Sequence, residues 1–173
     1  MGQGPGGPVV IGLDPGSHKT GYAVVQDGDR PNHYHLFASG TIKAPTRRGL
    51  AGRLNFIYQG LKEVIAEHHP SEMAVEGVFT HKNARSALLL GQARGVAILA
   101  ATRGGLEVHE YPPATVKKAL VGTGRASKEQ VRTMVKSLIK RPIKLDLDAS
   151  DALALALTHL HTRNLLKLTE QLK

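Results

Sequence analysis

The chain has 173 residues, no cysteine, and 23 Lys and Arg against 14 Asp and Glu, a formal net charge of +9. That length fits one globular domain able to bury its own core, and the missing thiols exclude disulfides, thiolate nucleophiles and cysteine-ligated zinc. No apolar run approaches the roughly 20 residues of a membrane span, so the expectation is a soluble, cytoplasmic protein whose excess of cations suits polyanions, nucleic acid foremost. Basic residues recur as Arg47-Arg48, Lys82 with Arg85, Lys117-Lys118 and a run from Arg125 to Arg141. This spread describes a broad basic surface rather than a single arm.

The Gly- and Pro-rich start, residues 1–8, reads as a flexible tail, residues 9–166 as one domain, and residues 167–173 as a C-terminal tail. Val9–Asp14 and Gly21–Gln26 read as short strands joined by the turn-rich PGSHKT, and His33–Ile42 as a third. From Leu50 to His69, apolar residues at Leu50, Leu54, Ile57, Leu61 and Ile65 mark an amphipathic helix, with Pro70 just beyond it. Met73–Val78 is another apolar strand, broken by Glu76. Asn83 can cap a helix reaching about Arg103, where Gly104-Gly105 stops it. Leu106–Tyr111 returns as a strand, and helices follow over Pro113–Val121, Ser127–Ile139 and about Asp148–Leu166. Ser127 with Gln130 fits a capping box. Strands followed by alternating strands and helices predict an α/β mixed sheet with helices packed on it.

Two strands therefore carry one acid each among apolar neighbours, Asp14 and Glu76. The last helix opens with LDLDASD, in which Asp148 and Asp151 share a face and Asp146 reads as capping material. Taken singly, Asp14 also suits a turn before Pro15-Gly16, and Asp148 and Asp151 also complement a helix dipole. Glu76 has no such ordinary reason. If the helix lies beside the strand ends, four carboxylates converge, and their mutual repulsion calls for a hard divalent cation. Two such ions about 4 Å apart can serve an in-line phosphoryl displacement. His159 and His161, two apart, lie on different sides of a helix and are unsuited to one shared metal. There is no GxSxG and no GxxxxGK[ST].

The blocks GLDPGSHKTGYAVV, AVEGVFTHKNARSALLLGQARGVAILAA, EYPPATVKKALVGTGRASKEQV and DASDALALALTHLH resemble, in order, the RuvC family of bacterial Holliday-junction resolvases, nearly continuously from Val9 to Asn164. The resemblance implies a ribonuclease H-like fold, with a five-stranded mixed sheet flanked by α-helices, acting as a homodimer. It implies Mg²⁺-dependent hydrolysis of two opposed phosphodiester bonds in four-way junction DNA during recombination and repair. Two ions per subunit are expected, Mn²⁺ being able to substitute. The family's catalytic and metal-binding acids fall on Asp14, Glu76, Asp148 and Asp151. Its base-stacking aromatic falls on Phe79, and its DNA-backbone contacts fall on Lys117 and Lys118, with Lys82 and Arg85 contributing phosphate contacts. A branch-migration helicase is the implied partner, at the bacterial nucleoid. Gly77 departs from the pattern, where a bulkier residue such as Gln is expected. The rivals are an actin- or hexokinase-type ATPase, disfavoured by the lack of a second lobe, and a non-catalytic junction-binding protein.

Overall fold

The computed structural model describes residues 7–30, 32–77, 83–139 and 144–171. Most of the expected N-terminal tail, together with Phe79, Lys82 and Arg141, lies outside these residues. Among these residues there are five strands and five helices, in the order β1 (Val9–Asp14), β2 (Lys19–Asp27), β3 (Tyr34–Lys43), α1 (Leu50–His68), β4 (Glu72–Glu76), α2 (Ala84–Arg103), β5 (Glu107–Tyr111), α3 (Pro113–Val121), α4 (Lys128–Ile139) and α5 (Leu147–Gln171). The sheet order is β3-β2-β1-β4-β5. β1 pairs antiparallel with β2 and parallel with β4, and β4 pairs parallel with β5. The mixed five-stranded sheet expected from the sequence is present.

Period-two alternation divides the sheet between two cores. Ile11, Leu13, Val24, Met73 and Val75 pack with α1 and α2 on one face. Val10, Ala23, Val25 and Ala74 pack with α3, α4 and α5 on the other. β1 and β4 are apolar in both directions because both their faces are covered.

Local signals set the helix ends. Asn83 accepts a hydrogen bond from the Ser86 amide at 3.1 Å. Ser127 and Gln130 form the reciprocal box, at 2.8 and 3.2 Å. His69 closes α1 in the left-handed region, at φ 47°. The last helix continues past the expected Leu166 to Gln171. From Leu165 to Glu170 its residues are exposed, Leu165, Leu166 and Leu168 among them, so core periodicity no longer marks its end.

One packing contact positions everything that follows. α5 crosses β1 and β2 where these strands carry Gly12 and Gly21. A Cβ at Gly12 would overlap the Ala152 carbonyl oxygen, and one at Gly21 would overlap the Asp148 carbonyl. The obstacles are helix backbone, not side-chain ends that could turn aside. The Gly12→Ala protein is therefore expected to lose on the order of 1–3 kcal/mol by overpacking. At roughly 2–4 °C per kcal/mol for a chain of this size, a thermal melt would show the loss as a lower midpoint.

Candidate active site

Asp14 and Glu76 are the last residues of β1 and β4. The two strands are parallel neighbours with Leu13 opposite Val75, so their acids emerge side by side at the carboxyl edge of the sheet, where open α/β sheets commonly bind ligands. α5 begins over the same edge. Its first turn carries Asp148, and Asp151 follows on the same face one turn later. Asp14, Glu76 and Asp151 line one cavity of about 150 Å³ with Val116, Lys117 and Lys128. Asp148 stands beside it, close enough for its charge to act on Asp14.

Asp146 is excluded from this group by its own bonds. One of its carboxylate oxygens accepts from the Ala149 amide at 2.9 Å, and the Thr41 hydroxyl donates to the same carboxylate at 2.8 and 2.7 Å. It caps α5 and ties the cap to β3, as its place before the helix suggested.

Four carboxylates this close oppose one another's ionisation. Burial pushes the Asp14 carboxyl up to about 7, helped by the charges of Asp151, Glu76 and Asp148 and opposed by Lys128. Positive charge reaches the cluster from α4: Lys128 Nζ stands 3.8 Å and Arg132 Nη2 3.5 Å from Asp151. Arg94 of α2 braces the end of β4, its Nε donating to the Glu76 carbonyl at 3.2 Å while its Nη2 meets Glu110 at 2.5 Å. An all-oxygen donor set that keeps a proton on one of its members fits a hard divalent cation, which would replace that proton.

The remaining positions singled out in the sequence are dispersed. Lys117 forms part of the cavity wall, whereas Lys118 faces a separate groove between α3 and α5 with His161 and Leu165. Arg85 is exposed in the first turn of α2. Gly77 donates its amide to the Tyr111 carbonyl at 2.9 Å. A Cβ there would come no closer than 3.5 Å to its neighbours, so the structure has room for a bulkier residue at this position.

Sequence reasoning missed Arg132 and Lys128 as partners of Asp151. Their spacing of four on a helix opened by a capping box was the available signal, since it places both on one face. Arg94 gave none, because its bonds are tertiary. Also missed was a buried hydrogen-bonded pair: His159 of α5 meets Glu72 of β4 at 2.5 Å, with both side chains nearly enclosed.

Residues 10–159 match the family model described as crossover junction endodeoxyribonuclease RuvC. The chain is 50% identical over 155 residues to the RuvC of Halorhodospira halophila, covering 90% of this chain and 91% of that one. It is 49% identical to the RuvC of Citrifermentans bemidjiense, covering 89% and 93%. Among solved structures, Thermus thermophilus RuvC in complex with a Holliday junction substrate superposes with a TM-score of 0.86 at 31% identity, over 92% of this chain and 96% of that one. A yeast mitochondrial Holliday junction resolvase superposes at 0.67 with 11% identity, over 91% and 80%, a likeness of fold alone.

The raised Asp14 has a measurable consequence. In the unfolded chain the group titrates near 3.8 and in the fold near 7. Between those values only the folded state holds the proton, so metal-free stability falls as pH rises through that window and stays reduced above it. Fully expressed, the shift is on the order of 2–4 kcal/mol. Asp14→Asn is expected to melt several degrees above the wild type at pH 8 without divalent metal, and level with it at pH 4. Equal midpoints at pH 8 would contradict the burial of Asp14 and its closeness to the other carboxylates.

Proposed function

The chain belongs to the RuvC family of crossover junction endodeoxyribonucleases, and on that premise we propose that it resolves four-way junction DNA by paired, symmetric hydrolysis of phosphodiester bonds. The observation that carries this reading is the meeting of Asp14, Glu76, Asp148 and Asp151 at one sheet edge of a strongly basic chain. A polyanion is drawn to the surface, while the site itself is built to hold cations. Two Mg²⁺ ions, with Mn²⁺ able to substitute, would be held by these four carboxylates and would supply an activated water and Lewis acidity toward the scissile phosphate, leaving a 5′-phosphate nick.

The protein's own groups have distinct tasks in this reading. Asp14 gives up its proton when the site fills. Lys128 and Arg132 hold Asp151 in place from α4, and Arg94 fixes the backbone that presents Glu76. Lys117, in the cavity wall, offers an ammonium group to a phosphate oxygen. Lys82, Arg85 and Lys118 contact the DNA backbone, fixing register without reading sequence. Phe79, three residues beyond Glu76, stacks on bases at the crossover.

Two cuts related by symmetry require two equivalent sites, and a two-fold homodimer provides them. The outer face of α2 supports this: Leu88 and Leu99 are 63% and 50% exposed, and the intervening Gly91 and Gly95 have open space where a Cβ would lie. A second copy can approach this strip closely. A branch-migration helicase as partner and a cytoplasmic, nucleoid-associated setting complete the proposal. Among the described residues no helix is long and apolar enough to cross a membrane.

The test is a labelled, branch-migrating synthetic junction incubated with Mg²⁺, Mn²⁺ or EDTA, beside linear duplex and the Glu76→Gln protein. Paired nicks in the junction alone, dependent on metal and lost in Glu76→Gln while binding persists, are expected. Tight binding with no cut in either metal would make the protein a binding module. In the same binding assay, Lys118→Ala is expected to weaken junction binding and reduce the slope of log K against log salt by about 1. An unchanged slope would remove Lys118 from the DNA surface.

A further inference from the structure

A second polar cluster lies at the opposite end of β4 from Glu76. Glu72 opens the strand and is buried among side chains of α5 and β5. Its Oε2 meets His159 Nε2 at 2.5 Å, and its Oε1 lies 3.5 Å from Arg163 Nη2. His159 Nδ1 is 2.7 Å from the Tyr111 hydroxyl. The His109 ring lies against that of His159, with centroids 4.3 Å apart and planes tilted by 33°. His109 Nε2 is enclosed yet makes no hydrogen bond among the described residues. Glu107 Oε1 stands 3.4 Å from it, on an exposed side chain.

We propose that Glu72, His109 and His159 form a binding site for one borderline divalent transition cation, with Zn²⁺ as the reference ion, separate from the carboxylate cluster at the other end of the strand. One ligand atom from each residue lies within 4.8 Å of the others. Two imidazoles and one carboxylate suit Zn²⁺ and its neighbours and are poor ligands for Mg²⁺. Bonds of about 2.0–2.1 Å around a tetrahedral ion put ligand atoms about 3.4 Å apart. The His159–Glu72 pair has to open slightly for this, and the partly buried His109 ring has to move closer by about 1 Å or more.

The surroundings already hold an outer hydrogen-bond partner in place, the Tyr111 hydroxyl. With an ion on Nε2, the His159 proton resides on Nδ1 and is donated to the Tyr111 oxygen, the outer hydrogen bond that metal-bound histidines ordinarily make. Both ring nitrogens already have a partner, so the ring supplies a lone pair through a change of tautomer, with no net loss of a proton. Glu72 can spend Oε2 on the ion while Oε1 stays with Arg163. The Arg163 charge works against the ion, so the site is weaker than a closed structural zinc site.

The experiment uses the full chain stripped with chelator and titrated with Zn²⁺ against a chromophoric competitor. The titrations are run in excess Mg²⁺, which occupies the carboxylate cluster, and compare wild type, Asp14→Asn, His109→Phe and His109→Gln, Asp14→Asn further weakening that cluster. With that cluster occupied by Mg²⁺, wild type and Asp14→Asn are expected to bind about one equivalent of Zn²⁺, and both His109 variants to bind at least about tenfold more weakly. Zn²⁺ should raise the melting midpoint of wild type and Asp14→Asn and leave the His109 variants unmoved. Co²⁺ should give the visible spectrum of a four-coordinate nitrogen and oxygen site. Absence of micromolar Zn²⁺ binding in wild type, or His109 variants that bind as wild type does, would overturn the proposal.

Discussion

Helix α5 can reach the acidic strand ends only because β1 and β2 carry no side chain where it crosses them. With hydrogen atoms alone at Gly12 and Gly21, helix backbone lies directly on strand backbone. This close approach brings Asp148 and Asp151, from the far end of the chain, to Asp14 near its beginning. The apolar remainder of α5, from Ala152 to Leu160, is buried against the same face. The helix is thus both the main buttress of one core and the carrier of half the site. Few sequence changes could move one role without the other.

The site is electrostatically inverted relative to its surroundings. A chain with nine excess positive charges concentrates carboxylates at a single edge, where burial and then their mutual repulsion raise the titration of Asp14. The fold tolerates this by bringing Lys128 and Arg132 to Asp151 and by anchoring the end of β4 through Arg94. These cations are supplied by helices on opposite faces of the sheet, α4 and α2, so the acidic edge is held from both sides.

Much of the fold was legible because its signals are local. The capping residues Asn83, Ser127 and Gln130 act within one helical turn, and the apolar spacing of α1 reflects a single buried stripe. The acids of the site were legible for a related reason: Glu76 in an apolar strand contradicts the pattern around it. What could not be read depends on contacts between distant segments. Glu72 looks like an ordinary charged strand start and His159 like one of two helix histidines, and only the packing of α5 on β4 makes them a buried pair. Lys117 and Lys118 are adjacent in the chain, yet a helix turns them toward different grooves. The end of α5 was misplaced because its last turns leave the core, and periodicity reports burial rather than helicity.

The Gly12 and Gly21 contacts also restrict how α5 can move. Backbone seated on backbone resists sliding, because displacement along the axis would bring the Cβ atoms of neighbouring residues onto the strands. Asp151 and His159 ride on the same rod, two turns apart, so neither can drift along the sheet alone. The pair of glycines thereby acts as a mechanical detent, giving the whole length of the helix one indexed position against the strands.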